Sequence, residues 1–173
     1  HTVCRAPTSP GTRYRTPSSP VDRRCSVDHV HFVIMGCGRV GASLARAIER
    51  AGHEVAVIDQ DEASFRRLGT SFEGRTVTGV GFDRDTLRAA GIDHAYAFAA
   101  VSSGDNSNIL AARVAREKYG VEHVVARIYD PGRAEIYQRP GIPTVATVKW
   151  TSDQMLRRLL PQGHVPEDTD PSG

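Results

Sequence analysis

Apolar and polar positions along the chain follow two alternating rhythms. His31-Phe32-Val33-Ile34-Met35 is an apolar run of strand length, after which Val40, Leu44, Ala47, Ile48 and Ala51 recur at helical spacing. Gly52 stops that predicted helix. Glu54 to Asp59 reads as the next strand, Asp61 to Leu68 as a helix closed by Gly69, and Arg75 to Gly79 as a third strand. A helix from Arg84, capped by Asp83 and ended by Gly91, leads to a fourth strand, Ala95 to Val101. Asp105 to Tyr119 is predicted as a longer helix stopped by Gly120, His123 to Ile128 as a fifth strand, and Pro131 to Arg139 as a helix with proline in its first turn. Pro143 to Val148 is the sixth strand, and Thr151-Ser152-Asp153-Gln154 has the form of a capping box opening a last helix to Leu160. Strand and helix alternate throughout. The pattern predicts a Rossmann-like, doubly wound α/β sheet of about six parallel strands with helices on both faces.

The ends read differently. Residues 1–29 are rich in Pro, Ser, Thr and Arg, with Pro7, Pro10, Pro17 and Pro20 spread through them, and carry no apolar period. They are expected to be a disordered or non-native extension, and the initial His suits a fragment or an over-long reading frame. Residues 30–150 form the predicted nucleotide-binding domain, 151–160 a linking helix, and 161–173 a loose polar tail.

Composition narrows the class. At 173 residues the chain suits one domain with tails, and with 39% hydrophobic but only 6% aromatic residues its core must come from Val, Ile, Leu and Ala. The net charge of +2 originates at the N-terminus, because residues 1–29 hold five Arg and two Asp, leaving −1 for the remainder. The body therefore has no basic excess for a nucleic acid partner. Cys4, Cys25 and Cys37 are odd in number and have no C-x-x-C spacing, which argues against a disulfide scaffold or a zinc site and suits a reducing compartment. The seven histidines have no metal-binding spacing. With no apolar run of membrane length and no apolar segment of a signal peptide, a cytoplasmic location is expected.

One motif carries chemistry. Gly36-Cys37-Gly38-Arg39-Val40-Gly41 fits G-x-G-x-x-G, follows a predicted strand, opens a predicted helix, and is followed by Asp59 at the end of the next strand. Gly36 permits the tight turn, Gly38 the approach of a pyrophosphate to the backbone, and Gly41 close packing of helix on strand. The helix N-terminus then offers free N–H groups to phosphate. Asp59 is expected to accept from the ribose hydroxyls and to repel a 2′-phosphate, favouring NAD, ADP or ATP over NADP. The competing reading is a ligand-free glycine turn with a helix-capping aspartate. Arg39 fits a phosphate contact and a solvated first-turn arginine equally well, and Cys37 reads as a small spacer within the motif.

Further candidates lie at the carboxyl ends of later strands, where ligands of such sheets bind. Gly79, Gly81 and Phe82 follow the third strand, where the glycines suit close approach to adenine or ribose. Ser102 and Ser103 follow the fourth, across the expected switch point, and the same residues also suit ordinary loop and cap roles. Arg127 closes the fifth strand, a place where arginine calls for an anion. No nucleophile elbow is present, and the six strand–helix units leave no room for a substrate domain.

The segments HFVIMGCGRVGASLARAIERAGHEVAVIDQDE, GFDRDTLRAAGI, AFAAVSSGDNSNILAARVARE and VVARIYD closely resemble the N-terminal regulatory domain of Trk/Ktr potassium uptake proteins, the TrkA-type regulators of potassium conductance (the RCK or KTN family). The likeness extends from Val30 to Leu160. It implies a non-enzymatic, cytoplasmic subunit, peripheral at the inner face of the membrane, that binds NAD or NADH, or ADP and ATP in the same site. It also implies assembly into dimers or higher rings that control a membrane potassium-translocating subunit. By the same resemblance the nucleotide contacts are Gly36 to Val40, Asp59, Ser102 with Ser103, and Arg127. Two departures stand out: many members carry Gly-Asp where this chain has Gly79-Val80, and the family usually continues into a smaller C-terminal ligand domain. The alternative is an NAD-dependent oxidoreductase fragment without its substrate domain. A redox-sensing transcription factor fits less well, because no basic recognition helix is present.

Overall fold

Six strands, all parallel, form a single sheet: β1 (His31–Met35), β2 (Glu54–Asp59), β3 (Arg75–Thr78), β4 (Ala97–Ala100), β5 (His123–Ile128) and β6 (Thr144–Ala146). The computed structural model describes residues 29–130, 132–133 and 142–159 of the chain. The strand order is β3-β2-β1-β4-β5-β6. Connections therefore run outward in one direction from β1 and in the other from β4, and the reversal opens a crevice between their carboxyl ends.

Side-chain alternation along β1 shows why both faces need cover. Val33 and Met35 join Ile58, Leu87, Ile92, Phe98 and Ile109 on one face, while Ile34 joins Val57, Ala42, Ala45, Leu68 and Val101 on the other. The first face is covered by α2 (Arg84–Ala89) and α3 (Asp105–Arg113), the second by α1 (Arg39–Arg50) and a 3-10 helix, Glu62–Leu68. The doubly wound α/β architecture is thus as expected. Four predicted stop glycines, Gly52, Gly69, Gly91 and Gly120, take positive φ of 69° to 88°.

The details differ in four places. The segment expected as an α-helix at 61–68 closes as a 3-10 helix, with Asp61 accepting from the amide of Ala63. The long helix changes after Arg113 into one wider π turn, Val114–Lys118. The fourth and sixth strands are shorter than predicted. The last helix, α4 (Thr147–Leu159), begins four residues ahead of the predicted capping box. No Gly or Pro interrupts Thr147 to Thr151, so the helix runs through, and the Thr151 hydroxyl donates back to the Thr147 carbonyl at 2.8 Å instead of capping. The predicted helix at 131–139, apart from helical Gly132 and Arg133, and both tails lie outside the described residues.

Candidate functional site

The site begins with the turn between β1 and α1. Gly36 has φ +103°, and a Cβ there would lie 2.7 Å from the Ser102 amide nitrogen, so only glycine lets the β1 end lie against the β4 loop. A Cβ on Gly41 would fall 1.8 Å from the Gly36 carbonyl oxygen, which explains how the first turn of α1 can sit directly on the strand end. Gly38 is the opposite case: nothing lies within 4 Å of a Cβ built there. This is open space in front of the helix. Gly38 caps α1 without a side-chain hydrogen bond, and the first intrahelical bond is from the Ala42 amide to the Gly38 carbonyl, 2.9 Å. The amides of Arg39, Val40 and Gly41 precede it and face out of the helix end, where the dipole favours an anion.

Asp59 ends β2 beside this turn and is held by two backbone amides. Its Oδ2 accepts the Cys37 amide at 2.6 Å and its Oδ1 the Asp61 amide at 2.9 Å. The carboxylate thereby fastens the glycine turn to the loop after β2, with lone pairs left on both oxygens for further donors. Cys37 contributes its backbone only. Its side chain is fully buried on the α1 side of the sheet, with Sγ 3.3 Å from the Ser64 carbonyl. Burial pushes this thiol's pKa up, the Asp59 charge adds to the rise, and Arg67 and Arg46 oppose it.

A crevice of about 360 Å³ lies between the β1, β2, β3 and β4 ends. It is lined by Gly36, Asp59, Gly79, Gly81, Phe82, Ser102 and Ser103, seven of the residues singled out from sequence, together with Met35, Ile58, Gln60, Asp61, Gly104 and Ser107. Gly79 fits beneath Thr86 of α2, and Gly81 lies over Met35, whose Cγ would be 2.1 Å from a Cβ there. The loop after β3 is thus pressed onto the crevice floor. Asp83 then caps α2 through the Thr86 and Asp85 amides, and these bonds, Thr86 foremost, hold its carboxyl below the usual carboxylate range.

Of the six sequence candidates that do not line this crevice, Cys37, Gly38 and Gly41 belong to the turn described above, and three remain. Arg39 and Val40 line a shallow hollow with Ser43, Leu44 and Ala47 on the outer side of α1. Arg127 lies behind the Ser102 loop, and no ion pair of it is formed among the described residues. Its Nη2 donates to the Ser102 carbonyl at 3.1 Å and to the Tyr129 hydroxyl, and its guanidinium stacks 4.3 Å from the Tyr129 ring centre. A carbonyl and an aromatic face hold the guanidinium at the end of β5.

The residue that sequence reasoning missed is Asn108. It is fully buried, the one such polar side chain among the described residues, and all its hydrogen-bonding capacity faces the site. Oδ1 accepts from the Ser102 amide (2.9 Å) and hydroxyl (2.7 Å), and Nδ2 donates to the carbonyls of Ser102 (3.0 Å) and Arg127 (2.9 Å). The available signal was a polar residue heading a buried helical stripe, Asn108-Ala111-Ala112-Ala115. Among the described residues no group of three or more His, Cys, Asp or Glu is placed to hold a metal ion, and no helix is long and apolar enough to cross a membrane.

Residues 32–148 match the TrkA-N domain family. The chain is 74% identical over 144 residues to the Trk system potassium uptake protein TrkA of Streptomyces coelicolor, an alignment covering 83% of this chain and 65% of that protein. Among solved structures, the Kef CTD of Shewanella denitrificans in AMP-bound form superposes with a TM-score of 0.64 at 20% identity, over 72% of this chain and 76% of that one. The GsuK RCK domain gives 0.61 at 25% identity, over 73% and 28%. This chain belongs to the TrkA-N domain family.

Proposed function

We propose that this domain is the ligand-sensing part of a regulatory subunit of a potassium uptake transporter, and that its ligand is an adenine nucleotide: NAD or NADH, with ADP or ATP able to use the same crevice. One observation carries the nucleotide reading. An uncapped helix end with open space at Gly38 follows directly on Gly36, which lines a crevice that also holds the Asp59 carboxylate, and a diphosphate and its ribose use that pair of elements. A phosphate would accept from the amides at the start of α1, and the ribose hydroxyls would donate to the spare lone pairs of Asp59. The AMP of the Kef domain belongs to that protein and names a ligand class to test.

The transport reading is supported by the high identity to a Trk system potassium uptake protein, of which this chain spans 65%. In this reading the chain is cytoplasmic and peripheral at the membrane, assembles with further copies as a dimer or ring, and biases a membrane potassium-translocating partner. Bound nucleotide acts by its differential affinity for two arrangements of that assembly. In this reading the domain senses its ligand and does not catalyse.

Thermal unfolding with NAD, NADH, NADP, ADP and ATP tests the ligand. A ligand at a hundred times its Kd adds about 2.7 kcal/mol. Stabilisation by nucleotides with a free ribose 2′-hydroxyl, weaker with NADP and reduced in Gly38→Ala, is expected. No stabilisation by any of the five would refute the reading. Recovery of a multi-spanning membrane protein with the tagged full-length relative tests the transport role.

A further inference from the structure

We infer that the first turn of α3 is a coupling element that carries nucleotide occupancy from the crevice to the chain leaving β5. This inference rests on the nucleotide reading above and adds a route by which binding is relayed.

The argument starts with Ser102, which lines the crevice. None of its polar groups is idle. Its amide and hydroxyl both bond Asn108 Oδ1, and its carbonyl accepts from Asn108 Nδ2 and from Arg127 Nη2. A ligand that shifts Ser102 must therefore break several bonds in a buried, low-dielectric setting or carry Asn108 and Arg127 along. The second course costs less, because an unmade buried hydrogen bond is expensive.

Asn108 is fixed within α3, so the motion passes to the turn that holds it. That turn grips the far side of the loop after β5. Asp105 accepts the Tyr129 amide on Oδ1 at 2.9 Å and the Asp130 amide on Oδ2 at 3.1 Å. Asn106 Oδ1 accepts from Arg133 Nη1 at 2.9 Å, and Arg133 lies 3.6 Å from the Asp130 carboxylate. Crevice loop, α3 turn and Tyr129, Asp130 and Arg133 are thus one hydrogen-bonded unit, with Asn108 fastening one end and Asp105 the other. Both are positioning residues, and neither lines the crevice.

Residue-resolved amide exchange on the full 173-residue chain, with and without saturating ADP, tests the inference. ADP should slow exchange at the crevice amides and also at Tyr129 and Asp130, by about five- to tenfold at the latter, the lower range of measured couplings. In Asp105→Ala, a change at a partly exposed position that leaves Asn108 and the crevice intact, ADP affinity should stay within about threefold, under 1 kcal/mol. The ADP effect at Tyr129 and Asp130 should nevertheless disappear, and Asp105→Asn, which keeps one acceptor, should fall between. A purely structural role for Asp105 would raise exchange equally in both states and leave the ratio unchanged, which would overturn the coupling. So would an ADP response confined to the crevice. The absence of any ADP response would instead remove the nucleotide reading, and this inference with it.

Discussion

Gly41→Ala and Gly38→Ala exchange the same atoms three residues apart and should have opposite consequences. By helix propensity alone, alanine within α1 should stabilise by about 1 kcal/mol over glycine. At Gly41 the new Cβ would stand 1.8 Å from the Gly36 carbonyl oxygen, whereas real Cβ contacts essentially never fall below 3.0 Å. Backbone cannot swing aside as a flexible side chain would, so α1 and the glycine turn must separate by over an ångström. Overpacking of this kind costs about 1–3 kcal/mol and occasionally more. The clash outweighs the propensity gain, and we expect net destabilisation of about 2 kcal/mol, a large share of the 5–15 typical of a domain. With a urea m-value of about 2 kcal/mol/M, the unfolding midpoint should fall by about 1 M. At Gly38 the added methyl meets nothing, so stability should change by less than about 1 kcal/mol. The methyl does occupy the approach to the α1 amides, and ADP affinity measured by calorimetry should drop at least about tenfold, or 1.4 kcal/mol. A midpoint for Gly41→Ala at or above wild type would refute the packing argument. Equal loss of stability in the two variants would refute the assignment of Gly38 to open space.

Three further outcomes are expected. Asn108→Ala strips partners from three groups of Ser102 and from the Arg127 carbonyl, and should cost about 3 kcal/mol; an unfolding free energy from urea titration within about 0.5 kcal/mol of wild type would contradict it. Asp83 has a lowered carboxyl pKa from its cap bonds, so its contribution is present above the unfolded-state pKa and is lost as pH falls through the folded-state value. Asp83→Ala should accordingly weaken the protein at neutral pH and flatten the acid side of its stability profile, and an unchanged acid slope in urea titrations would count against the cap. Native Cys37, with its thiol pKa raised and its side chain buried, should resist alkylation at neutral pH and react only after unfolding; peptide mapping that shows rapid native labelling at this position would contradict the burial.

How much of this was legible in the sequence depends on what each residue answers to. Strand and helix positions followed from periodicity because a parallel sheet covered on both faces needs near-continuous apolar strands, and β2, buried at Val55 to Ile58, shows it. Gly36 and Gly41 were legible because close approach excludes a side chain whatever the neighbouring residues. Asp59 was placed correctly at the end of β2, but its grip on the Cys37 and Asp61 amides depends on how two loops meet, which no local pattern records. Asn108 was overlooked for a related reason: polar residues near a helix start ordinarily serve the helix itself, and only the packing of α3 turns this one inward. Arg127 was placed at the end of β5, but its bond to the Ser102 carbonyl and its stacking on Tyr129 depend on packing that the sequence does not record. Nothing in the sequence marks the π turn at Val114–Lys118. The false capping box shows that a start signal decides little when the residues before it are already willing to be helical.

The hold of Asp59 on the Cys37 amide has a kinetic corollary. Contacts within the protein fix the shape of the glycine turn, so under the proposed function docking of a nucleotide would demand little ordering of the chain. Entry and departure are then governed by encounter and by the guest's own contacts, with no refolding of the doorway in between.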